Sequence, residues 1–598
     1  MARLTPAAAT PGGARAPRAW TACLGGLGYT LLSILAFPPV GLWPLAVLAP
    51  LPLVLTALAG WRRPGRAAVW AGLGTVPFWA FEQVWLWEVT PAGYPLLCLS
   101  LAGFPALFVW LVARASRRTP RVPEWLLVAI AWTGVEVLRG EIVLTGYPWY
   151  LAAHPLIAAP GLARPASLLG TYLVSFLAVL PAALAGELVL ARRAGRHGAL
   201  LARRLALPVL LVAAWLGGAL LAAPAPTGGS AAIAVIQTNV PQNNKMVWSI
   251  ERRLRNFARF IELTRQAARA SPSPELIIWP ETMFPGEMLN PEAVAVLERA
   301  GLQWPAPPGP DSRPIAATAF ASSLLMEQAE LGIPMLVGAV AAEGLEVVRD
   351  AEGRFERLRQ QRRYNSAFLI IEGQVSEQRY DKEHLTPFGE IIPVLWRWPA
   401  LQRLALDLGA QGMTFDLAWG TGHRPITVTL PPGPAGPRRP PGASHAEGSD
   451  RVLRLAAPIC FEATQAGLCR SLTYQGGRPV VDLLANLSND GWFGGFDGVR
   501  RQHMQVAAWR CVELGLPMVR AVNTGHSCWI DQRGRVRDWL PAREDGILRA
   551  EIPLGGRGTV FGRVGGVFAW IITAALGAVG VIAVLGRPRQ AAAWEEQP

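Results

Sequence analysis

Hydrophobic positions along this chain follow two patterns. Up to about residue 223 they form long blocks, roughly 20–37, 43–60, 67–88, 95–115, 124–139, 165–191 and 203–223, and another lies near 564–585. Blocks approaching or exceeding ~18 apolar residues read as membrane spans, because a helix needs that length to cross the hydrocarbon core. The fifth is short and carries Glu136. Between 224 and 563 the blocks give way to short apolar runs with polar ends. AAIAVIQTNV (231–240), PELIIWPE (274–281), IPMLVGAV (333–340), RVLRLAAPIC (451–460) and PVVDLLANLSND (479–490) are predicted strands. YNSAFLIIEGQVSEQRYDK (364–382) reads as two strands around a Glu-Gly-Gln turn, and PMVRAVNTGHSCWIDQRGRV (517–536) as a strand pair. ERRLRNFARFIELTRQAARA (251–270) spaces its apolar residues as an amphipathic helix does, and MQVAAWRCVELG (504–515) is also helical.

Strands separated by helices predict an α/β domain with a largely buried sheet. The expected organisation is a membrane domain over 1–223 with about seven spans, an external α/β domain over 224–563, and a closing span with its tail over 564–598. APAPTGGSA, ending at Ala231, is the linker into the external domain; WPAPPGPDSRP (304–314) and PPGPAGPRRPPGASHAEGSD (431–450) are surface loops or insertions. No internal repeat is visible.

Composition fits this division, with 51% hydrophobic residues, only 16% charged residues and 24 Trp in 598 positions. A net charge of +14 raises the question of nucleic acid, but the arginines lie in alternate loops. Arg3, Arg15 and Arg18 precede the first span; Arg62, Arg63 and Arg66 follow the second; Arg114, Arg117, Arg118 and Arg121 follow the fourth. Arg192, Arg193, Arg196, Arg203 and Arg204 follow the sixth, Arg587 and Arg589 follow the last, and Arg164 is the exception. By the positive-inside rule both termini are cytoplasmic and the α/β domain is outside. The basicity is a topology signal, and no nucleic-acid partner is expected. The first span lacks a convincing cleavage site and reads as a retained signal anchor.

Of the six cysteines, Cys23 and Cys98 lie in spans. Cys460, Cys469, Cys511 and Cys528 show no CxxC pairing, so neither a zinc site nor a redox motif is supported, although their even number permits disulfides. No cofactor or metal is expected. Three predicted strands end in chemically capable groups: Glu281, Lys382 in Tyr-Asp-Lys, and Cys460. Residues just beyond strand carboxyl ends are fixed by the sheet while loops leave room for a ligand. A thiol needs a base to become the attacking thiolate, which a partly desolvated carboxylate supplies, and a lysine stabilises the oxyanion that forms. Each residue also has a plainer reading. Alone, a cysteine in an apolar strand is more often inert core, Glu281 is equally a helix N-terminal carboxylate, and Lys382 a solvated charge.

Their surroundings favour the chemistry. WPET (279–282), YDKEHLTPFGE (380–390), PICFE (458–462) and SNDGWFG (488–494), in this order, resemble the nitrilase superfamily with its Glu-Lys-Cys triad. With the seven-plus-one spans and HLTPFGE, the chain closely resembles the bacterial apolipoprotein N-acyltransferase family. The resemblance implies a multi-span helical membrane domain joined to a four-layer αββα sandwich at the outer face of the bacterial inner membrane. It implies transfer of an acyl chain from a phospholipid, through a cysteine thioester, to the α-amine of an apolipoprotein's diacylglyceryl cysteine. Glu281 is then the general base, Lys382 the oxyanion stabiliser and Cys460 the nucleophile, supported by Glu390, Glu462 and, before the first helix, Trp248. Phe461 stands where relatives often have tyrosine, so no role of a phenol hydroxyl transfers.

The lipid bilayer is the expected partner besides donor and acceptor, and a monomer is expected. PVLWRWPALQRLALDLGA (393–410), with Trp396 and Trp398, reads either as a membrane-facing lid arm or as a buried amphipathic helix. Glu82, Glu136 and Glu187 fall in or beside spans and are given no catalytic role. GYPWYLAAHP (146–155) is expected to contact lipid or to pack beneath the external domain. Two rival readings are a membrane-tethered amidase or nitrilase that passes the same thioester to water, and a transporter or scaffold whose external domain only binds.

Overall fold

The computed structural model describes residues 18–586 apart from 120–121, 194, 196–197, 221–228, 242–247, 309–311, 388, 392–416, 423, 431–450 and 557. The suggested lid arm at 393–410 and the Pro-rich insertion at 431–450 therefore lie outside the described residues.

Each apolar block in the first half is helical. The principal helices are α1 (Ala22–Ala36), α2 (Pro64–Glu82), α3 (Gly93–Ala115), α4 (Glu124–Val137), α5 (Thr171–Arg193) and α6 (Ala199–Ala219). Among the described residues, five helices are long and apolar enough to cross a membrane: α1, α3, α5, most of α6, and a final helix at Val567–Leu585. The block at 43–60 is not one continuous helix but two short ones, Leu45–Leu48 and Leu51–Ala57. Pro50 and Pro52 lack the amides a continuous ladder would use. The short fifth block ends as α-helix at Val137 and widens into a five-residue π-helical segment, Leu138–Ile142.

Small residues let these helices approach closely. A Cβ on Gly74 would lie 2.4 Å from the Cys23 carbonyl oxygen and 2.9 Å from Gly26 Cα, so α1 and α2 cross backbone to backbone. The Thr30 hydroxyl donates to the Gly74 carbonyl at 2.9 Å beside that crossing. Gly74→Val is expected to force the two helices apart and cost about 1–3 kcal/mol, read as a lower melting temperature in detergent; an unchanged melting curve would refute this crossing.

Glu136 and Glu187 serve as hydrogen-bond acceptors inside the membrane half. Glu136 Oε1 accepts from Trp132 Nε1 at 3.1 Å and from the Ala152 amide at 2.7 Å. Glu187 Oε2 accepts from the Glu124 and Trp125 amides at the start of α4, at 2.6 and 3.2 Å. Glu82 is buried, and its carboxylate has no hydrogen-bond partner among the described residues.

The α/β half contains two six-stranded sheets. In chain order the strands are β1 (Ser230–Gln237), β2 (Leu276–Ile278), β3 (Met335–Glu343), β4 (Arg362–Ile371), β5 (Gln374–Asp381), β6 (Ile426–Leu430), β7 (Arg451–Ala456), β8 (Leu483–Asn489), β9 (Met518–Asn523), β10 (Cys528–Ile530), β11 (Val536–Trp539) and β12 (Gly546–Pro553). The first sheet runs β12-β1-β2-β3-β4-β5 and the second β6-β7-β8-β9-β10-β11. Both follow one scheme, with an antiparallel edge pair, two parallel pairings, then two antiparallel ones. The sequence shows no repeat, yet the pairing scheme is duplicated.

The period-two alternation of strands sorts the first sheet's side chains between two cores. Ile233, Val235, Leu276, Ile278, Leu336, Ala367 and Leu369 face the core shared with the second sheet. Their neighbours Ala234, Ile236, Ile277, Trp279, Val337 and Phe368 pack with Phe260, Leu263 and Ala267 of helix α7 (Ile250–Ala268). Helix α8 (Asp497–Leu514) lies between the second sheet's core and the membrane helices, in keeping with an αββα sandwich.

The two halves are joined through α8. Gln502 Nε2 meets His154 Nδ1 at 3.0 Å, and Trp509 Nε1 donates to the His154 carbonyl at 3.3 Å. Glu513 Oε1 accepts from both the amide and the hydroxyl of Thr171 at 2.7 Å, while Arg510 pairs with Glu513 at 2.8 Å. His154, Thr171, Arg510 and Glu513 are all buried. The 146–155 segment therefore packs against the α/β half.

Candidate active site

Cys460 follows β7 after the turn Ala457-Pro458-Ile459 and opens a 3₁₀ turn, Cys460–Thr464. Its φ is +51°, in the left-handed region that L-residues avoid. Neighbouring β8 holds the approach: Asn486 Nδ2 donates to the Pro458 carbonyl at 2.8 Å, and Ile459 bridges to Leu487. All six cysteines are free, so the disulfides that the cysteine count permits do not form.

Glu281 follows β2, where Trp279 is fixed by stacking on Phe260 at 4.4 Å and by its indole N–H donating to Thr264 at 3.0 Å. Lys382 follows β5, and its amide donates to the Asn365 carbonyl at 2.8 Å. The strand ends converge. Lys382 Nζ lies 3.4 Å from Glu281 Oε1 and 2.8 Å from Glu390 Oε2. Asn365 Nδ2 donates to Glu281 Oε1 at 2.7 Å and reaches Glu390 Oε1 at 3.4 Å. The Cys460 thiol faces this carboxylate, whose Oε2 is otherwise without a hydrogen-bond partner among the described residues.

Burial sets the protonation of the cluster. It holds the Cys460 thiol well above its usual range, and the Glu281 charge adds to the effect. Burial also raises Glu281, more than Lys382 lowers it. For Lys382 burial alone would favour the neutral amine, but Glu390 and Glu281 outweigh it and keep the ammonium. Glu390 is likewise penalised by burial, yet the pull of Lys382 takes it below the usual carboxylate range. The site at rest thus holds a protonated thiol beside a carboxyl group of raised basicity, with a fixed cation next to both. The thiol can lose its proton to Glu281 as attack proceeds, and Lys382 can meet the negative oxygen that results.

Glu462 does not line the cavity. Fully buried, it accepts from the Ile459 amide at 2.7 Å, the Glu383 and His384 amides at 2.7 and 2.8 Å, and the Tyr380 hydroxyl at 3.0 Å. It therefore ties the turn bearing Cys460 to the turn bearing Lys382, and burial raises its carboxyl to about 7. Phe461 is buried with its ring stacked on His384 at 5.8 Å. Trp248 is not brought to this cluster. It is half-buried against the outer core with Leu254 and Phe257, because it directly precedes helix α7, which covers that face of the first sheet.

Gly338 of β3 is pressed against Glu281: a Cβ there would fall 2.2 Å from the Pro280 carbonyl oxygen and 2.7 Å from Glu281 Cα. Gly338→Ala must displace that main chain, and a shift near 1 Å at a catalytic group costs on the order of 10²-fold in rate. Kinetics on folded protein would test this; an unimpaired variant rules the packing argument out.

A cavity of about 270 Å³ opens over the cluster. One wall carries Glu281, Lys382, Glu390, Cys460, Phe461 and His503; the other comes from the membrane half, with Leu86, Leu97, Leu101, Phe104, Arg139, Tyr147 and Trp149. Asn365, Arg139 and His503 stand in none of the motifs the sequence displays and were not expected at the site.

Fold and site together define an enzyme of the carbon-nitrogen hydrolase class joined to a membrane domain, and residues 232–560 match the carbon-nitrogen hydrolase family. Residues 29–184 match the apolipoprotein N-acyltransferase N-terminal domain. The chain is 32% identical to the apolipoprotein N-acyltransferase of Azotobacter vinelandii, covering 89% of each chain. It is 30% identical to that of Pseudomonas aeruginosa, over 90% of this chain and 91% of the relative. To that of Geobacter metallireducens it is 28% identical, over 92% and 93% respectively. The chain belongs to the apolipoprotein N-acyltransferase family, and with its apolar helices it is a bacterial membrane protein.

Proposed function

We propose that this protein moves a fatty acyl chain from a phospholipid to the N-terminal α-amine of a diacylglyceryl apolipoprotein, by way of a thioester on Cys460. Glu281 takes the thiol proton as sulfur attacks the ester carbonyl and returns it to the departing glycerol oxygen. Lys382, held between Glu281 and Glu390, stabilises the tetrahedral oxyanion, with backbone N–H groups beyond Cys460 assisting. Glu390 fixes the lysine, and Glu462 keeps the two turns in register. In the second half-reaction the amine displaces sulfur and restores the thiol.

The observation that supports this reading is the composition of the cavity. Cys460 opens onto a wall built by helices of the membrane half, so an ester anchored in the bilayer reaches the thiol without leaving apolar surroundings. The same reading places the protein in the inner membrane as a multi-pass monomer, with both termini cytoplasmic and 224–563 periplasmic. Domain boundaries of 1–223, 224–563 and 564–598 follow.

Mass spectrometry of the Cys460 peptide after exposure to phospholipid vesicles is the test. An added acyl mass that moves to a diacylglyceryl-cysteine peptide on its addition is the expected result. Release of free fatty acid with no N-acylated peptide would instead favour a membrane-tethered hydrolase.

A further inference from the structure

The acceptor amine poses a proton problem that Glu281 alone does not solve. An α-amine has a pKa of about 7.7–8.0 and is largely an ammonium ion at neutral pH, without a lone pair for attack. Glu281 accounts for one proton, the one shuttled between thiol, leaving group and incoming nitrogen. The ammonium carries another.

His503, on α8, lies against the nucleophile. It is 1% exposed, lines the cavity that holds Cys460, and stacks on Trp149 of the membrane half at 5.3 Å. Its Nδ1 is 3.1 Å from Asp490 Oδ1, and Arg520 Nη2 is 3.4 Å from the same nitrogen. Asp490 is the closer partner, is itself 1% exposed, and accepts from the Ser488 hydroxyl at 3.1 Å. A carboxylate at this distance keeps the imidazole proton on Nδ1. Nε2 then carries the lone pair, and among the described residues it is buried with no hydrogen-bond partner. The charged and titratable groups around the ring are Asp490, Arg520 and, through its main chain, Cys460. Burial, with Arg520 adding to it, holds the ring below the usual histidine range, so it is neutral and able to accept a proton at pH 7.

We infer that Asp490 and His503 form a second base, which deprotonates the ammonium group of the acceptor before it attacks the Cys460 thioester. The inference rests on the acyl-transfer reading above. The ammonium nitrogen gives one proton to His503 Nε2, forming an imidazolium paired with Asp490. The neutral nitrogen then bonds to the thioester carbonyl carbon and passes a second proton to the Glu281 carboxylate. The carbon–sulfur bond breaks, the Cys460 thiolate leaves and recovers that proton from Glu281, and the imidazolium releases its proton to water. The balance is one ammonium and one thioester consumed, with one amide, one thiol and one proton formed.

The test separates the two half-reactions in full-length protein, using His503→Gln with Asp490→Asn as a second variant. Acyl-enzyme is formed from phospholipid vesicles and then challenged at pH 7 with a diacylglyceryl-cysteine peptide or with hydroxylamine, which is neutral at that pH. Both variants are expected to form thioester and to react with hydroxylamine at near wild-type rates. Peptide aminolysis should fall about 5–10-fold at pH 7, the deficit set by the share of acceptor that a pKa of about 7.7–8.0 leaves as ammonium, and this deficit closes as pH rises past that pKa. Wild-type aminolysis by the variants overturns the inference. So do equal losses in thioester formation, hydroxylaminolysis and peptide transfer without rescue at high pH, since those describe a packing defect. Absence of any acyl mass on the wild-type protein sinks the underlying acyl-transfer reading instead.

Discussion

Cys460→Ala is expected to abolish acyl transfer and to leave no acyl mass on the protein after exposure to phospholipid. In the proposed mechanism the Cys460 sulfur, beside Glu281 and Lys382 and open to the apolar wall, holds the acyl group between donor and acceptor. The loss should appear as turnover below detection. A second consequence concerns stability. At φ +51° the Cys460 backbone occupies a conformation costing about 1–2 kcal/mol for an L-residue, whereas glycine adopts it freely. Cys460→Gly should therefore melt above Cys460→Ala, although both are inactive. Residual N-acylation in the alanine variant would remove Cys460 from the mechanism, and an alanine variant as stable as the glycine one would deny the strain.

Glu281→Gln is expected to reduce turnover by about 10²–10⁴-fold, the usual worth of a positioned general base. The substitution keeps the shape of the side chain and leaves Lys382 paired with Glu390 at 2.8 Å, so the fold should tolerate it. The informative signature lies in the thiol. After burial, the Glu281 charge is the next influence holding the Cys460 thiol high. Removing that charge lowers the thiol pKa, so alkylation of Cys460 by iodoacetamide should begin at lower pH in the variant. Reactivity toward the alkylating agent rises while acyl transfer falls. A parallel drop in both would mean that the residue holds the site together and does not carry the proton.

The membrane half was legible because lipid-facing helices must be apolar over long blocks, and each block is indeed helical. The division at Ala49–Pro50 depends on prolines inside a block that hydropathy averages over. Glu281, Lys382 and Cys460 could be read because each ends an apolar run, a position where a sheet exposes side chains. Asn365 could not, since it sits within β4 and gains meaning only when Glu281 and Glu390 converge on its amide. His503 was hidden for a different reason. Helix α8 is covered by a sheet on one side and by the membrane half on another, so Arg500, Gln502, His503, Arg510 and Glu513 are all buried. A helix enclosed in this way shows no polar stripe to mark which residues face water, which face protein and which face a substrate.

The pairing of β1 with β12 has a consequence for how the chain is assembled. Ser230 lies opposite Pro553 and Gln237 opposite Gly546, so the polypeptide enters and leaves the α/β half along one pair of adjacent antiparallel strands. The unit is an insertion whose two ends are stitched together, the arrangement that makes domain insertion tolerable elsewhere in proteins. Its closure does not depend on the bilayer to bring the preceding and following spans together. The sandwich can close as soon as β12 has been made, before the last span takes its place.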